Sequence, residues 1–239
     1  MKPLFQSFRI FIQQIFTDSM LAIVCIAPIL AAFFFRFGIP LVERILCEYF
    51  QEATILTDYY LLFDLLLSLL TPYMFCFASS MVMLTEHDEN MASYIAVTPV
   101  GKNGYILSRL LFPAIISTIA SVLLLNWFSL TIWTIGMVLI TCLLTSLVSI
   151  AGSLFIFSFS HNRVEGMAMA KLSGLLMLGL PIPFFLESNA QYLLSPLPSF
   201  WIAKLCMEQD ILFLLPALIS SLIWIYLLYW KFNRKIEYR

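Results

Sequence analysis

Few side chains in this 239-residue sequence could do chemistry, and most of those stand at the ends of apolar runs. The densest polar stretch reads Thr85-Glu86-His87-Asp88-Glu89-Asn90-Met91-Ala92-Ser93-Tyr94-Ile95-Ala96-Val97-Thr98-Pro99-Val100. Thr85 followed by Asp88 has the spacing of a capping box with Asp in place of Glu. Carboxylates in a first helical turn suit the positive end of the helix dipole. Thr98-Pro99 would stop such a helix, because the residue before a proline is driven out of the α region. The stretch therefore predicts a short acidic helix of about two to three turns lying under a membrane. Glu86, Asp88 and Glu89 would open it, and Met91, Tyr94 and Ile95 would form its body. The plain alternative is a solvated turn. Asp64 is the second candidate, because a carboxylate inside an apolar run is a functional hypothesis by default. It lies near one end of its run, so it reads either as a structural polar contact or as part of a substrate path. No second carboxylate or buried cation stands with it to form an obvious proton relay.

Other chemistries lack their residues. The nearest approach to a phosphate-cradling loop, Gly101-Lys102-Asn103-Gly104, has neither its spacing nor its length. Neither H-E-x-x-H nor G-x-S-x-G occurs, and His87 and His161 stand in different connections. No catalytic group, bound cofactor or metal site is expected in this chain. Cys25, Cys47, Cys76, Cys142 and Cys206 include no C-x-x-C pair. Cys47 and Cys206 would share one side of the membrane, where a disulfide between them is an open alternative to two free thiols.

The elements that must position these residues follow from composition. The chain is 62% hydrophobic and 11% charged, against about 25% charged in a soluble domain. That excludes a soluble enzyme, and the same hydrophobicity excludes disorder. A net charge of −1 without a like-charge block gives no support to a nucleic-acid partner. A bilayer core needs about 20 apolar residues as a helix. Six runs approach that length: 19–35, 60–84, 110–130, 136–159, 167–186 and 211–229. They are continuously apolar rather than alternating, so the expected fold is an all-α polytopic domain over 1–239, not a barrel.

Ten Lys and Arg fall in the terminal segments and the connections on their side, against Arg36, Arg44 and Lys204 on the other. The excess places both termini in the cytoplasm. Residues 1–17 gather Leu4, Phe5, Phe8, Phe11, Ile12, Ile15 and Phe16 within roughly 140° of a helical wheel, which predicts an interfacial helix. An ordinary helix packed on protein is the alternative. A break is expected at Gly38-Ile39-Pro40, followed by a short amphipathic outer helix with Glu43, Arg44, Glu48 and Glu52 turned away from its apolar face. Glu187–Asp210 is too apolar for a solvent loop and too rich in proline for a span. It predicts a re-entrant or interfacial helical pair.

At the Thr85–Val100 stretch the sequence resembles the ABC-2-type exporter permeases. Glu86, Asp88 and Glu89, the Met91–Val97 segment, Thr98-Pro99-Val100 and the basic Arg109 match that family's second-to-third-span connection. The family often carries Gly-Thr after the acidic residues, where this chain has Met91-Ala92-Ser93. The six-span plan and the broken segment before the last span agree with it loosely. The resemblance implies the membrane subunit of an ATP-driven exporter in the cell membrane. A separate nucleotide-binding subunit would hold ATP and magnesium and dock on Glu86, Asp88, Glu89, Met91, Tyr94, Ile95, Thr98 and Pro99. A second permease chain, identical or homologous, would complete the pathway for a drug, antimicrobial peptide or lipid-like substrate. Two other readings stay open: an ion-coupled carrier using Asp64, and a membrane immunity or assembly factor without a transport cycle.

Overall fold

The computed structural model describes residues 2–89, 101–186 and 188–237, and no strand occurs among them. In chain order the helices are α1 (Lys2–Thr17), α2 (Ser19–Phe33), α3 (Ile39–Phe50), α4 (Tyr60–Asp88), α5 (Gly101–Ile106) and α6 (Phe112–Phe128). They continue as α7 (Ile135–Phe159), α8 (Arg163–Ser173), α9 (Ile182–Phe185), α10 (Pro198–Glu208) and α11 (Leu214–Glu237). The protein is an all-α membrane protein. Among the described residues, five helical stretches are long and apolar enough to cross a bilayer: Ser19–Phe50, Thr57–Asp88, Gly104–Phe128, Ile135–Phe159 and Ile211–Lys235.

The segment 167–186 is not one helix. α8 gives way to a 3-10 turn at Gly174–Met177, and α9 is a single turn beginning after Pro181. The stretch from the start of α8 to the end of α9 nevertheless runs between opposite ends of α4. Arg163 sits beside Asp88, and Phe185 stacks on Tyr59 at 5.2 Å. The chain therefore travels the length of the bundle here in broken pieces. Position 179 in these pieces requires glycine, since a Cβ there would stand 2.5 Å from the Phe200 amide nitrogen at the start of α10. The helical pair expected at 187–210 is present as a 3-10 segment, Asn189–Leu194, followed by α10. α10 is more deeply set than an interfacial helix, with Phe200, Ile202, Ala203 and Leu205 buried.

α4 and α7 form the centre. Their most apolar stretches are 61% and 67% buried, against 17% for the first and last crossing helices. Small polar residues are buried along both helices. Ser68, Thr71, Ser79 and Ser80 on α4 and Thr141, Thr145, Ser149 and Ser153 on α7 are all buried. Small side chains let backbones approach where lipid supplies no hydrophobic drive. Several of these hydroxyls return to their own helix, as Thr71 does to the Leu67 carbonyl (2.9 Å) and Ser149 to that of Thr145 (2.8 Å).

Proline shapes the α4–α6 contact. A proline inside a helix leaves the carbonyl four residues earlier without its amide partner. Pro72 frees the Ser68 carbonyl, and Ser121 of α6 donates to it at 3.0 Å. Pro113 frees the Arg109 carbonyl, and Ser79 of α4 donates to that one. Each helix thus supplies the hydroxyl that the other's proline requires.

The break expected at Gly38-Ile39-Pro40 is absent. A π-helical turn, Phe34–Gly38, carries α2 into α3, and the Ile39 amide bonds the Phe34 carbonyl five residues back. Widening the ladder just before Pro40 lets the helix absorb the missing amide. A second π turn, Leu107–Leu111, precedes Pro113 in the same way. The polarity of α3 also differs from expectation. Glu43 is turned inward, while Leu41, Ile45, Tyr49 and Phe50 are exposed. The carboxylate faces in because it closes the next connection, accepting from the Ile55 and Leu56 amides at 2.9 and 2.6 Å.

Candidate functional site

α1 and the end of α11 lie at one end of the bundle, together with the end of α4, the starts of α5 and α8 and the end of α7. The expected capping box does not begin a new helix. Thr85–Asp88 is the last turn of α4, and the Thr85 hydroxyl donates back to the Met81 carbonyl at 3.1 Å. The carboxylates therefore meet the negative end of a helix dipole, an unfavourable place that calls for cations. Arg109 answers that demand at Glu86, and a second arginine, Arg163, pairs with Asp18 nearby.

Arg109 comes from the π turn that follows α5. Its side chain lies inside the bundle, where it and Glu86 are each 1% exposed. Its Nη2 donates to Glu86 Oε1 at 2.6 Å, and its Nε lies 3.1 and 3.0 Å from the two carboxylate oxygens. Nη1 donates to the Ser7 carbonyl at 2.9 Å and to the Ser7 hydroxyl at 3.2 Å. Phe11 and Tyr105 stand near the guanidinium plane, with centroids at 5.2 and 5.7 Å. A buried pair holds only where its remaining hydrogen-bonding capacity is met, and here a backbone carbonyl of α1 meets it. One guanidinium thus ties α1, α4 and α6 together.

Arg163 makes the second tie. Its guanidinium pairs with Asp18, which also caps α2 by accepting from the Met20 amide at 3.0 Å. The Arg163 amide donates to Asp88 at 3.3 Å. Burial raises the Asp18 carboxyl, but Arg163 and the α2 amides outweigh it and hold the group below its ordinary value. Between these ties lies a cleft of about 650 Å³, bordered by Gln13, Gln14, Asp18, Thr85, Glu89 and Arg163. Asp88 and Glu89 are exposed at its edge, immediately before residues 90–100. Met91, Tyr94, Ile95, Thr98 and Pro99 lie outside the described residues.

The expected apolar face of α1 is shared between two environments. Phe8, Phe11 and Ile15 pack into the core cluster with Leu84, Tyr105 and Leu110. Phe5, Ile12 and Phe16 remain exposed. The packed half matches the reading of a helix set on protein, and the other half leaves an apolar edge uncovered.

Asp64 stands at the other end of α4 and is also 1% exposed. It accepts from the Leu130 amide (2.8 Å), the Thr131 amide (2.9 Å), the Thr131 hydroxyl (2.6 Å) and Trp133 Nε1 (3.0 Å). Those donors use both oxygens and fix the α6–α7 connection to α4. Of its two sequence readings, the structural contact is the one this geometry carries. Cys47 and Cys206 are free thiols, Cys206 lying buried against Thr141 at 3.3 Å. Among the described residues no cluster of His, Cys, Asp and Glu could hold a metal ion.

Residues 11–232 match the family described as fluoroquinolones export permease protein Rv2686c-like. The chain belongs to that family. Two curated relatives are the fluoroquinolones export permease proteins Rv2686c and MT2760 of Mycobacterium tuberculosis, from strains H37Rv and CDC 1551. Each is 26% identical to the chain over 196 residues, covering 81% of this chain and 77% of the relative. No solved structure matches the chain. Membership of an export permease family agrees with the ABC-2-type resemblance carried by the Thr85–Val100 stretch.

The sequence reading found Glu86 and Arg109 but not their pairing, since 22 residues separate them along the chain. It missed Asp18 and Arg163 altogether. A usable signal for Asp18 was present, because an Asp directly before an apolar run is a helix N-cap.

Proposed function

We propose that the chain is the membrane subunit of an exporter that moves a hydrophobic or amphipathic drug out of the cell, on ATP hydrolysed by a separate subunit. Fluoroquinolones, the substrates named for its relatives, are the first class to try. The end of the bundle carrying α1 and the end of α11 is cytoplasmic in this reading, in line with the Lys and Arg excess. The nucleotide-binding subunit docks over the exposed Asp88 and Glu89 and on Met91, Tyr94, Ile95, Thr98 and Pro99. A second permease chain, identical or homologous, completes the pathway in the bilayer.

The observation that carries this reading is the Glu86–Arg109–Ser7 junction. It joins both ends of the 90–100 connection to α1 through buried, charge-assisted hydrogen bonds. A push on the connection would reach α4, α6 and α1 together, whereas an untethered loop would absorb it. Glu86 acts here by stiffening the junction, not by contact with the partner.

The test is substrate-stimulated ATPase activity of the permease reconstituted with its ATPase subunit. Tyr94→Ala and Glu89→Lys are expected to lower stimulation several-fold at unchanged permease abundance. Drug efflux that survives ATP depletion and follows the proton gradient would overturn the proposal.

A further inference from the structure

We infer that a basic groove between the ends of α7 and α11 binds the head group of an anionic phospholipid. The inference rests on the membrane embedding of the chain and not on its coupling to ATP. The groove encloses about 650 Å³ and is bordered by Ser158, His161, Trp230, Lys231, Arg234 and Lys235. No carboxylate lines it among the described residues.

The three cations differ in what they already do. Lys235 closes the end of α7, donating to the Phe157 carbonyl at 2.6 Å and to that of Ser160. Lys231 and Arg234 have no ion pair among the described residues. They rest on aromatic faces instead. Lys231 Nζ is 3.2 Å from the Phe159 ring centroid, and the Arg234 guanidinium is 3.6 Å from that of Trp230. Stacking against aromatic rings holds both cations in place without neutralising them. That leaves two positioned charges for a phosphodiester, one of them a planar guanidinium suited to two phosphate oxygens.

The occupant follows from position. Trp230 and Tyr226 are exposed, as aromatics are at the head-group level of a membrane. Ile223 and Leu227 precede Lys231 by two helical turns and one, on the same face of α11. Both are exposed. An acyl chain can therefore lie along this stripe while its phosphate meets Lys231 and Arg234. A soluble anion would use the charges but not the stripe. Basic pockets between spanning helices are suited to acidic head groups.

The experiment is native mass spectrometry of the delipidated full chain, titrated with phosphatidylglycerol or phosphatidylcholine. The wild type should retain one phosphatidylglycerol at concentrations where phosphatidylcholine is lost. K231Q/R234Q should lower that affinity at least tenfold, and K171Q, remote from the groove, should not. Millimolar inorganic phosphate should fail to displace the lipid. Equal retention of the two lipids by wild type would overturn the inference even if the double variant misfolds. So would full affinity in K231Q/R234Q, or displacement by inorganic phosphate alone.

Discussion

Glu86 and Asp64 are both buried carboxylates on α4, one near each end, and each is 1% exposed. They differ in what neutralises them. Asp64 is held by four neutral donors from one short connection. Glu86 is held by a guanidinium from another helix, and that guanidinium also holds a third helix. Neutral donors spread a charge over a fixed local frame, which makes a clamp. A cation shared by three elements makes the charge balance depend on how those elements sit together, which makes a coupling point. Burial alone would have ranked the two residues equally; the partners separate them.

The largest effect should come from leaving one charge of the Glu86–Arg109 pair alone. Arg109→Ala or Glu86→Ala should cost about 3–5 kcal/mol, since an uncompensated buried charge remains. Thermal unfolding of purified protein would read this as a large drop in midpoint. The apolar double replacement E86L/R109M should recover most of the stability, because it removes both desolvation penalties. If the pair couples motion, that stable double variant will still have lost substrate-stimulated ATPase activity. Full stimulation in E86L/R109M would reduce the junction to a structural tie.

Asp64→Asn sharpens the other side of the comparison. An amide in place of a carboxylate turns one acceptor into a donor that faces other donors. The expected cost is about 1–3 kcal/mol. Efflux per folded molecule should be unchanged, with no altered dependence on the proton gradient. A folded D64N protein without transport would return Asp64 to the substrate path and erase the contrast with Glu86.

How much of this was legible depended on whether the cause was local. The apolar runs 60–84, 136–159 and 211–229 reappear in α4, α7 and α11 because length and hydropathy are properties of a segment. The misread capping box shows the limit. Thr85-x-x-Asp88 fits a helix start, but the same residues extend α4 because Leu84 and Glu86 are buried by neighbours that sequence spacing does not reveal. Pro40 likewise signals a break, and a π turn that no local rule places absorbs it. The fifth run had composition for a span, yet Pro181 and Pro183 lack the amides a continuous helix would need, and the segment runs in short pieces. Pairings such as Glu86–Arg109 and Asp18–Arg163 belong to the packing, and only the fold brings their partners together.

The reciprocal proline–serine contacts give a smaller, sharper test of the central packing. Ser121→Ala leaves the Ser68 carbonyl buried without a donor, at a cost of about 1–3 kcal/mol. In a Pro72→Ala background the residue 72 amide can take that carbonyl, so the same replacement should cost less. The difference is a coupling energy, read by a double-mutant cycle in thermal unfolding. The Ser79 and Pro113 cycle should behave alike. Additive effects at both sites would show that the serines serve packing and not carbonyl satisfaction.

The smallest effect is expected at Asp18. It is part of the same end of the bundle as Glu86, but its pair with Arg163 is partly exposed. Asp18→Asn keeps a good N-cap for α2 and removes only the charge, so the loss should stay near 0.2–1 kcal/mol. The pH dependence has a definite sign. Burial raises the carboxyl, and the stronger effect of Arg163 and the Leu21 and Met20 amides lowers it below its ordinary 3.8. An acid lowered in the folded state stabilises the fold above its unfolded value, and that contribution is lost as pH falls through the lowered value. The Asp18 contribution should therefore be flat across about pH 5–8 and fade only in acid. Measured as the stability difference between wild type and D18N, it should shrink toward zero below pH 3.8. A difference that changes near neutral pH would mean that the Arg163 tie is governed by another group, His161 and Glu165 beside it being the first to replace.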